Sequence, residues 1–140
     1  MDYNNISGIK ELGMIELPSA TLIEVEHDIV MVHYKDVDEE IDVEEAKKHT
    51  EAIYELRAGK PCHLIINFLE VEVPFTNAAR DYFAHNERHS AIRISQAIVI
   101  DGLAQKIVAN FYKTFNKPNC PVELFQNEAD ALKWSISLDK

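Results

Sequence analysis

One short stretch in the middle of the chain limits the folds that this sequence can adopt. Residues Cys62–Phe68 read Cys-His-Leu-Ile-Ile-Asn-Phe, an apolar run of strand length that begins directly after Pro61. A strand that is apolar on both faces lies inside a sheet and needs neighbouring strands, with helices covering both sides. The run therefore predicts a central, buried strand in an α/β domain.

Strand and helix patterns alternate on either side of this central strand. The first two extended segments predict an antiparallel hairpin that turns at His27-Asp28. The predicted strands are residues 14–26, 28–35, 62–68, 92–100 and 122–125. The predicted helices are residues 42–59, 76–87, 103–115 and 127–136. Because such alternation favours parallel pairing, we expect an α/β fold with a mixed sheet of four to five strands, an opening antiparallel hairpin and helices packed around it.

The length and composition fit a single domain over residues 1–140 that has a substantial core. The chain is 46% hydrophobic and contains only four Gly and five Pro. Residues 1–13 are polar and are expected to be loose. The side chains predicted to form the core are Ile53, Leu64, Ile65, Ile66, Ile98, Val99 and Ile100.

The net charge limits the classes of partner that this chain can bind, and the cysteine content indicates the cellular compartment. Fourteen Lys and Arg against 24 Asp and Glu give a formal net charge of −10, which argues against nucleic-acid partners and anionic membrane surfaces. The sequence shows no signal peptide, and no apolar run approaches the roughly 18 residues of a membrane span. The isolated Cys62 and Cys120 are expected to be buried free thiols. We therefore expect a cytoplasmic protein without membrane insertion.

No catalytic or metal-binding constellation emerges from the residue spacing. His85 and His89 are four residues apart, but they lack an HExxH motif and a third ligand, so they are interpreted as surface histidines at a helix end. The acids over residues 36–45 are interpreted as the solvated start of a helix. With so few glycines, a Gly-rich phosphate loop is excluded. We expect no catalytic residues, no metal, no cofactor and no enzymatic activity.

The helix predicted over residues 103–115 has an unusually wide apolar arc. It is interpreted either as deeply buried beneath the C-terminal helix around Trp134, which is the favoured reading, or as a partly exposed patch used for association. In the second reading, a homodimer or partner contact includes some of Phe111, Tyr112 and Phe115.

The order of elements resembles that of SpoIIAA-like, or STAS-like, domains of bacteria, and more narrowly an uncharacterised STAS/SEC14-like branch. The similarity covers about residues 20–138, and its motifs are largely core and capping positions. The matching stretches are His63–Val71, Ala78–Phe83, Ser95–Ile100, Ile107–Tyr112, Pro121–Phe125 and Glu128–Trp134.

The resemblance suggests a candidate modification site. In anti-sigma factor antagonists of this fold, a Ser or Thr that begins the helix after the central strand is phosphorylated, and Thr76 occupies the similar place. The Asp-Ser-Ser-Gly run of those antagonists is replaced here by Pro74-Phe75-Thr76-Asn77. Thr76 is therefore a candidate phosphoacceptor or a plain helix cap, and the cap is favoured.

Two functional hypotheses of different classes remain, and the absence of a catalytic constellation supports the first. The first is a non-enzymatic regulatory or protein-interaction domain that contacts a protein partner or associates with itself. The alternative is a small-molecule or lipid-binding domain, as the SEC14-like part of the resemblance implies. The alternative requires an apolar cavity, for which 140 residues leave little volume once the core is filled.

Overall fold

The computed structural model describes residues 8–139 as one six-stranded sheet with helices on both faces. The strands are β1 (Glu11–Glu16), β2 (Ala20–Val25), β3 (Ile29–Tyr34), β4 (Cys62–Asn67), β5 (Arg93–Val99) and β6 (Val122–Phe125). The helices are α1 (Val43–Arg57), α2 (Asn77–His85), α3 (Glu87–Ile92), α4 (Leu103–Phe111) and α5 (Glu128–Ser137). A π-helical turn over Tyr112–Asn116 continues α4.

The strands lie in the sheet in the same order as in the chain, from β1 to β6. The first three pair antiparallel, and β3 to β6 pair parallel. The mixed sheet is thus confirmed, but the expected number of four to five strands is wrong. The segment predicted as one extended stretch over residues 14–26 is divided by a turn containing Pro18, where the Leu17 N–H donates to the Ala20 carbonyl at 2.8 Å. Proline has no N–H for a sheet ladder, which explains the interruption.

The beginning of the described chain is more ordered than the sequence suggests. Strand β1 starts at Glu11, and Ile9 is buried against the core, although residues 8–13 belong to the segment expected to be loose. The rest of that prediction, for residues 1–7, lies outside the described residues. The predicted hairpin turn is confirmed: β2 and β3 are joined at His27 and Asp28, which both have the positive φ angles of a tight hairpin turn.

The two faces of β4 pack against different helices. Leu64 lies in the cluster that contains Ile53 of α1, whereas Ile65 packs in the cluster that contains Leu132 of α5. All of the predicted core residues except Ile66 are buried. This arrangement places α1 and α5 on opposite sides of the sheet.

The helix predicted over residues 76–87 is α2, and a short helix that was not predicted, α3, follows it directly. Helix α2 ends at His85, and Asn86 has an extended backbone conformation in which its side chain accepts a hydrogen bond from the His89 N–H at 2.9 Å. Asn is a favoured N-cap because its side-chain oxygen satisfies a free N–H of the first turn. Asn86 therefore ends one helix and starts the next.

Loss of the Ile65 side chain should destabilise the domain strongly. Ile65 is completely buried at the centre of β4, and Ile65→Ala removes packing and leaves a cavity, so the free energy of unfolding should fall by about 2–5 kcal/mol. Urea denaturation measures the change. Ile94→Ala, at a side chain on the neighbouring strand that is 39% exposed, is the control and should have a much smaller effect. Equal effects of the two variants would contradict the burial of β4.

Candidate functional site: an apolar cavity

A cavity of about 940 Å³ lies on the α1 side of the sheet and is partly open to solvent. Its walls come from β3, β4 and β5, from α1 to α4, and from the loop that follows β4. It extends to the segments that follow the carboxyl ends of β4 and β5. The location and size make this cavity the candidate functional site.

Alternate residues of the parallel strands form the floor of the cavity. Leu64 and Ile66 of β4 lie beside Gln96 and Ile98 of β5 in the strand register, and all four line the cavity. Side chains two positions apart on a strand point to the same face. The half-burial of Ile66, which was predicted to lie in a closed core, follows from this position.

A group of aromatic side chains forms one wall. Tyr34 stacks on Phe68 with ring centroids 4.8 Å apart, and Phe75 meets Phe68 edge to face at 5.8 Å. Phe83 of α2 continues the group through an edge contact with Phe75 at 6.2 Å. Such offset and edge-to-face arrangements are the favourable geometries of aromatic rings. The wall offers a large, shaped apolar surface.

Two buried histidines interrupt this apolar lining. His49 of α1 and His89 of α3 both line the cavity, and their exposed fractions are 2% and 1%. Burial lowers the pKa of His49, and it lowers the pKa of His89 to about 3, helped by the positive charge of Arg93. Both imidazoles are therefore neutral at physiological pH.

The sequence interpretation missed His49 and misplaced His89. The signal for His49 was its position on α1, three residues after Ala46 and four before Ile53, which places it on the apolar stripe. The expected surface location of His89 is wrong, whereas His85 is exposed. No group of three or more His, Cys, Asp or Glu among residues 8–139 could hold a metal ion.

Charged side chains of the lining are mostly acidic. The acidic lining residues are Asp36, Glu70, Glu72 and Asp101. Arg80 is the basic member of the lining, and its guanidinium donates to the Phe75 carbonyl at 2.9 Å and to the side-chain oxygen of Asn77. The charged part of the wall is therefore negative on balance.

Thr76 lies at the N-terminus of α2, beside the aromatic wall. Its hydroxyl oxygen accepts a hydrogen bond from the Ala79 N–H at 3.0 Å, which satisfies one of the free N–H groups of the first turn. Its own N–H donates to the Ile41 carbonyl at 3.0 Å, so the loop before α2 is tied to the segment before α1. The side chain caps the helix.

The three candidate interface residues occupy different environments. Tyr112 is buried, lines the cavity and donates its hydroxyl to Gln96 Oε1 at 3.1 Å. Phe111 and Phe115 are exposed and stack on each other with centroids 4.7 Å apart. The favoured expectation that this helix lies beneath the C-terminal helix is wrong, because Trp134 of α5 packs on Phe125 in the core cluster of the opposite sheet face.

A hydrogen-bonded trio on the other face of the sheet was also missed. His63 Nδ1 lies 2.8 Å from Ser95 Oγ, and His63 Nε2 lies 2.7 Å from Asp139 Oδ1. A hydrolytic triad also links Ser, His and Asp, but there the Ser contacts Nε2 and the Asp contacts Nδ1. Here the two nitrogens are exchanged, and Ser95 is completely buried within β5, outside the cavity lining. The trio ties the end of the described chain to β4 and β5.

The cysteines are both free thiols. Cys62 is buried, and burial raises its pKa to about 12. Cys120 is half-buried, and partial burial raises its pKa as well. Thiols with raised pKa values are poor nucleophiles at physiological pH.

The sheet order and the helices on both faces define a mixed α/β domain. The crystal structure of an uncharacterised protein of the DUF3478 family from Shewanella loihica PV-4, described as having a SpoIIAA-like fold, aligns with a TM-score of 0.53. The alignment covers 91% of this chain and 93% of that chain at 18% sequence identity. The predicted resemblance in fold is thereby confirmed.

The chain belongs to the family described as Domain of unknown function (DUF7793), whose sequence profile matches residues 23–138. No curated protein matches the chain. None of the helices within residues 8–139 has the length and apolar character needed to cross a membrane.

Removal of the Thr76 cap should weaken the domain modestly. Thr76→Ala leaves the Ala79 N–H without its partner and should lower the free energy of unfolding by about 1 kcal/mol. Thr76→Asp should retain the stability of the wild type, because Asp caps a helix at least as well as Thr. Urea denaturation of the three proteins measures both changes, and a Thr76→Asp variant as unstable as Thr76→Ala would contradict the capping role.

Proposed function

We propose that this protein is a non-enzymatic domain that binds a small, largely apolar molecule in the cavity beside α4. The observation that carries this proposal is the cavity itself, of about 940 Å³. Ligand sites of proteins typically measure about 300–1,000 Å³ and have mostly apolar walls with a few polar groups. The aromatic wall, the aliphatic floor and the two buried histidines fit that description.

The size of the cavity supports a binding role. Protein interiors are close-packed and contain few voids larger than a water molecule. The expectation that a chain of this length leaves little free volume is wrong here, because α4 packs loosely and only Ala109 of this helix is buried. The space lies between α4 and the aliphatic floor.

The polar groups near the cavity favour binding over catalysis. A general base works best when its pKa lies near the operating pH, whereas burial keeps the pKa of His89 at about 3. Neutral, buried imidazoles are instead good hydrogen-bond partners for a ligand. The proposal therefore assigns a recognition role to these side chains.

Self-association is a second candidate function, and the outer face of α4 favours it. We define this face by three side chains at helical spacing that are exposed and lie outside the cavity lining: Ile107, Phe111 and Phe115. Ile107 and Phe115 are 61% and 74% exposed. A contiguous apolar stripe on a surface helix is typical of an interaction site, and a two-fold dimer is the commonest assembly of soluble proteins.

Ligand binding can be tested by filling the cavity. The neutral fluorescent probe N-phenylnaphthylamine should bind the wild type and become brighter in the apolar environment. Ile66→Trp places a large ring on the cavity floor and should abolish the enhancement while the protein stays folded by circular dichroism. Ile94→Trp, at an exposed position on β5, is the matched control and should bind the probe as the wild type does. Absence of binding to the wild type, or equal binding to Ile66→Trp, would contradict the proposal.

Self-association predicts different effects for two neighbouring aromatic residues. Phe115→Glu places a charge on the outer face of α4 and should convert a dimer to a folded monomer in sedimentation velocity, with little change in melting temperature. Tyr112→Glu instead disrupts a buried side chain and should lower the free energy of unfolding by about 3–5 kcal/mol. A monomeric wild type would contradict self-association without affecting the cavity proposal.

A further inference from the structure

Two histidines of the cavity lining each have a buried ring nitrogen with unused hydrogen-bonding capacity. The Nε2 atoms of His49 and His89 are both buried, and neither has a hydrogen-bond partner within residues 8–139. An unpaired buried polar group costs about 1–3 kcal/mol. Both residues line the same cavity and both rings contact Phe83, at centroid distances of 5.6 and 5.2 Å.

The partner of the other ring nitrogen determines the role of His49 Nε2. His49 Nδ1 lies 2.8 Å from the carbonyl oxygen of Glu45, one turn earlier in α1. A carbonyl oxygen only accepts hydrogen bonds, so Nδ1 carries the hydrogen and donates it. In the neutral ring, Nε2 is then a bare lone pair. His49 therefore presents an acceptor, and its complement is a hydrogen-bond donor.

Resting on the proposed function, we infer that the ligand of this cavity is an uncharged amphipathic molecule with a hydroxyl group that donates a hydrogen bond to His49 Nε2. The apolar part of the molecule packs against the aromatic wall and the aliphatic floor. A hydroxyl also accepts hydrogen bonds, so the same group is compatible with a hydrogen on His89 Nε2. A neutral hydroxyl satisfies His49 without introducing a charge into the apolar interior.

The charges around the cavity disfavour an anionic head group. The acidic lining residues repel a carboxylate or a phosphate, and the Arg80 guanidinium is engaged with Phe75 and Asn77. Arg93 is the buried cation nearby, but it is not part of the lining. Its guanidinium donates to the Phe83 carbonyl and to Asn119 Oδ1, the latter at 2.9 Å. A bare lone pair at His49 Nε2 would also repel an anionic oxygen.

A matched set of probes separates these ligand classes. Decanol, its methyl ether and decanoate share one alkyl chain and differ only in the head group, which is a donor, an acceptor without a donor, or an anion. Isothermal titration calorimetry at neutral pH should show that decanol binds about tenfold more tightly than the ether, the size expected for one buried hydrogen bond. Decanoate should bind more weakly than decanol.

Variants at His49 test whether the preference comes from Nε2. His49→Phe keeps a ring but removes the acceptor, so the preference for decanol over the ether should disappear. His49→Gln restores an acceptor oxygen near the same position and should recover part of the preference. His85→Phe, at the exposed histidine outside the cavity, is the matched control and should keep the full preference.

A measurement on the wild type keeps the inference testable if the variants do not fold. In a nitrogen-15 spectrum of the imidazole groups, His49 should show the tautomer with hydrogen on Nδ1, and decanol but not its ether should shift the Nε2 resonance. Equal affinities of decanol and its ether, tighter binding of decanoate, or an Nε2–H tautomer would overturn the inference and leave the proposed function standing. If neither these probes nor N-phenylnaphthylamine binds, the proposed function itself is overturned.

Discussion

Burial of both faces of β4 is the constraint on which the rest of the structure depends. Leu64 and Ile65 are adjacent in the chain and point to opposite sides of the sheet, so each side must be covered by a different layer. The α5 layer closes tightly over Ile65. On the other side α1 covers Leu64, but Ile66 projects toward a region that no helix fills. The cavity exists where this second layer is incomplete.

The features that were predictable from the sequence are those encoded by local patterns. The apolar run at Cys62–Phe68 predicted the central strand, and the positions of Thr76 and Asn127 predicted helix starts that the structure contains. The errors in the predicted elements also have local causes, in the hydrogen bonding of the backbone. Pro18 divides an extended segment, and Asn86 starts a further helix, α3, where none was predicted, because each changes which backbone N–H groups find partners.

The candidate site was less predictable because periodicity shows which face of an element is apolar and not what covers it. The wide arc on α4 was consistent with either burial or exposure, and only the three-dimensional arrangement distinguishes them. Likewise, no spacing pattern connects His49 with His89, which are brought together by the packing of α1 and α3 around Phe83. Their depressed pKa values follow from that burial.

Helix α4 has apolar side chains on two sides: Val108 and Ala109 line the cavity, whereas Ile107 and Phe111 face solvent. If both proposals hold, this one helix takes part in two separate binding equilibria. Thermodynamic linkage makes the coupling between the two sides reciprocal. If a ligand in the cavity changes the affinity of the outer face for its partner, the partner changes the affinity of the cavity for the ligand by the same factor. A molecule in the cavity and a protein on the outer face would therefore act as effectors of each other, with no catalytic step needed to transmit the signal.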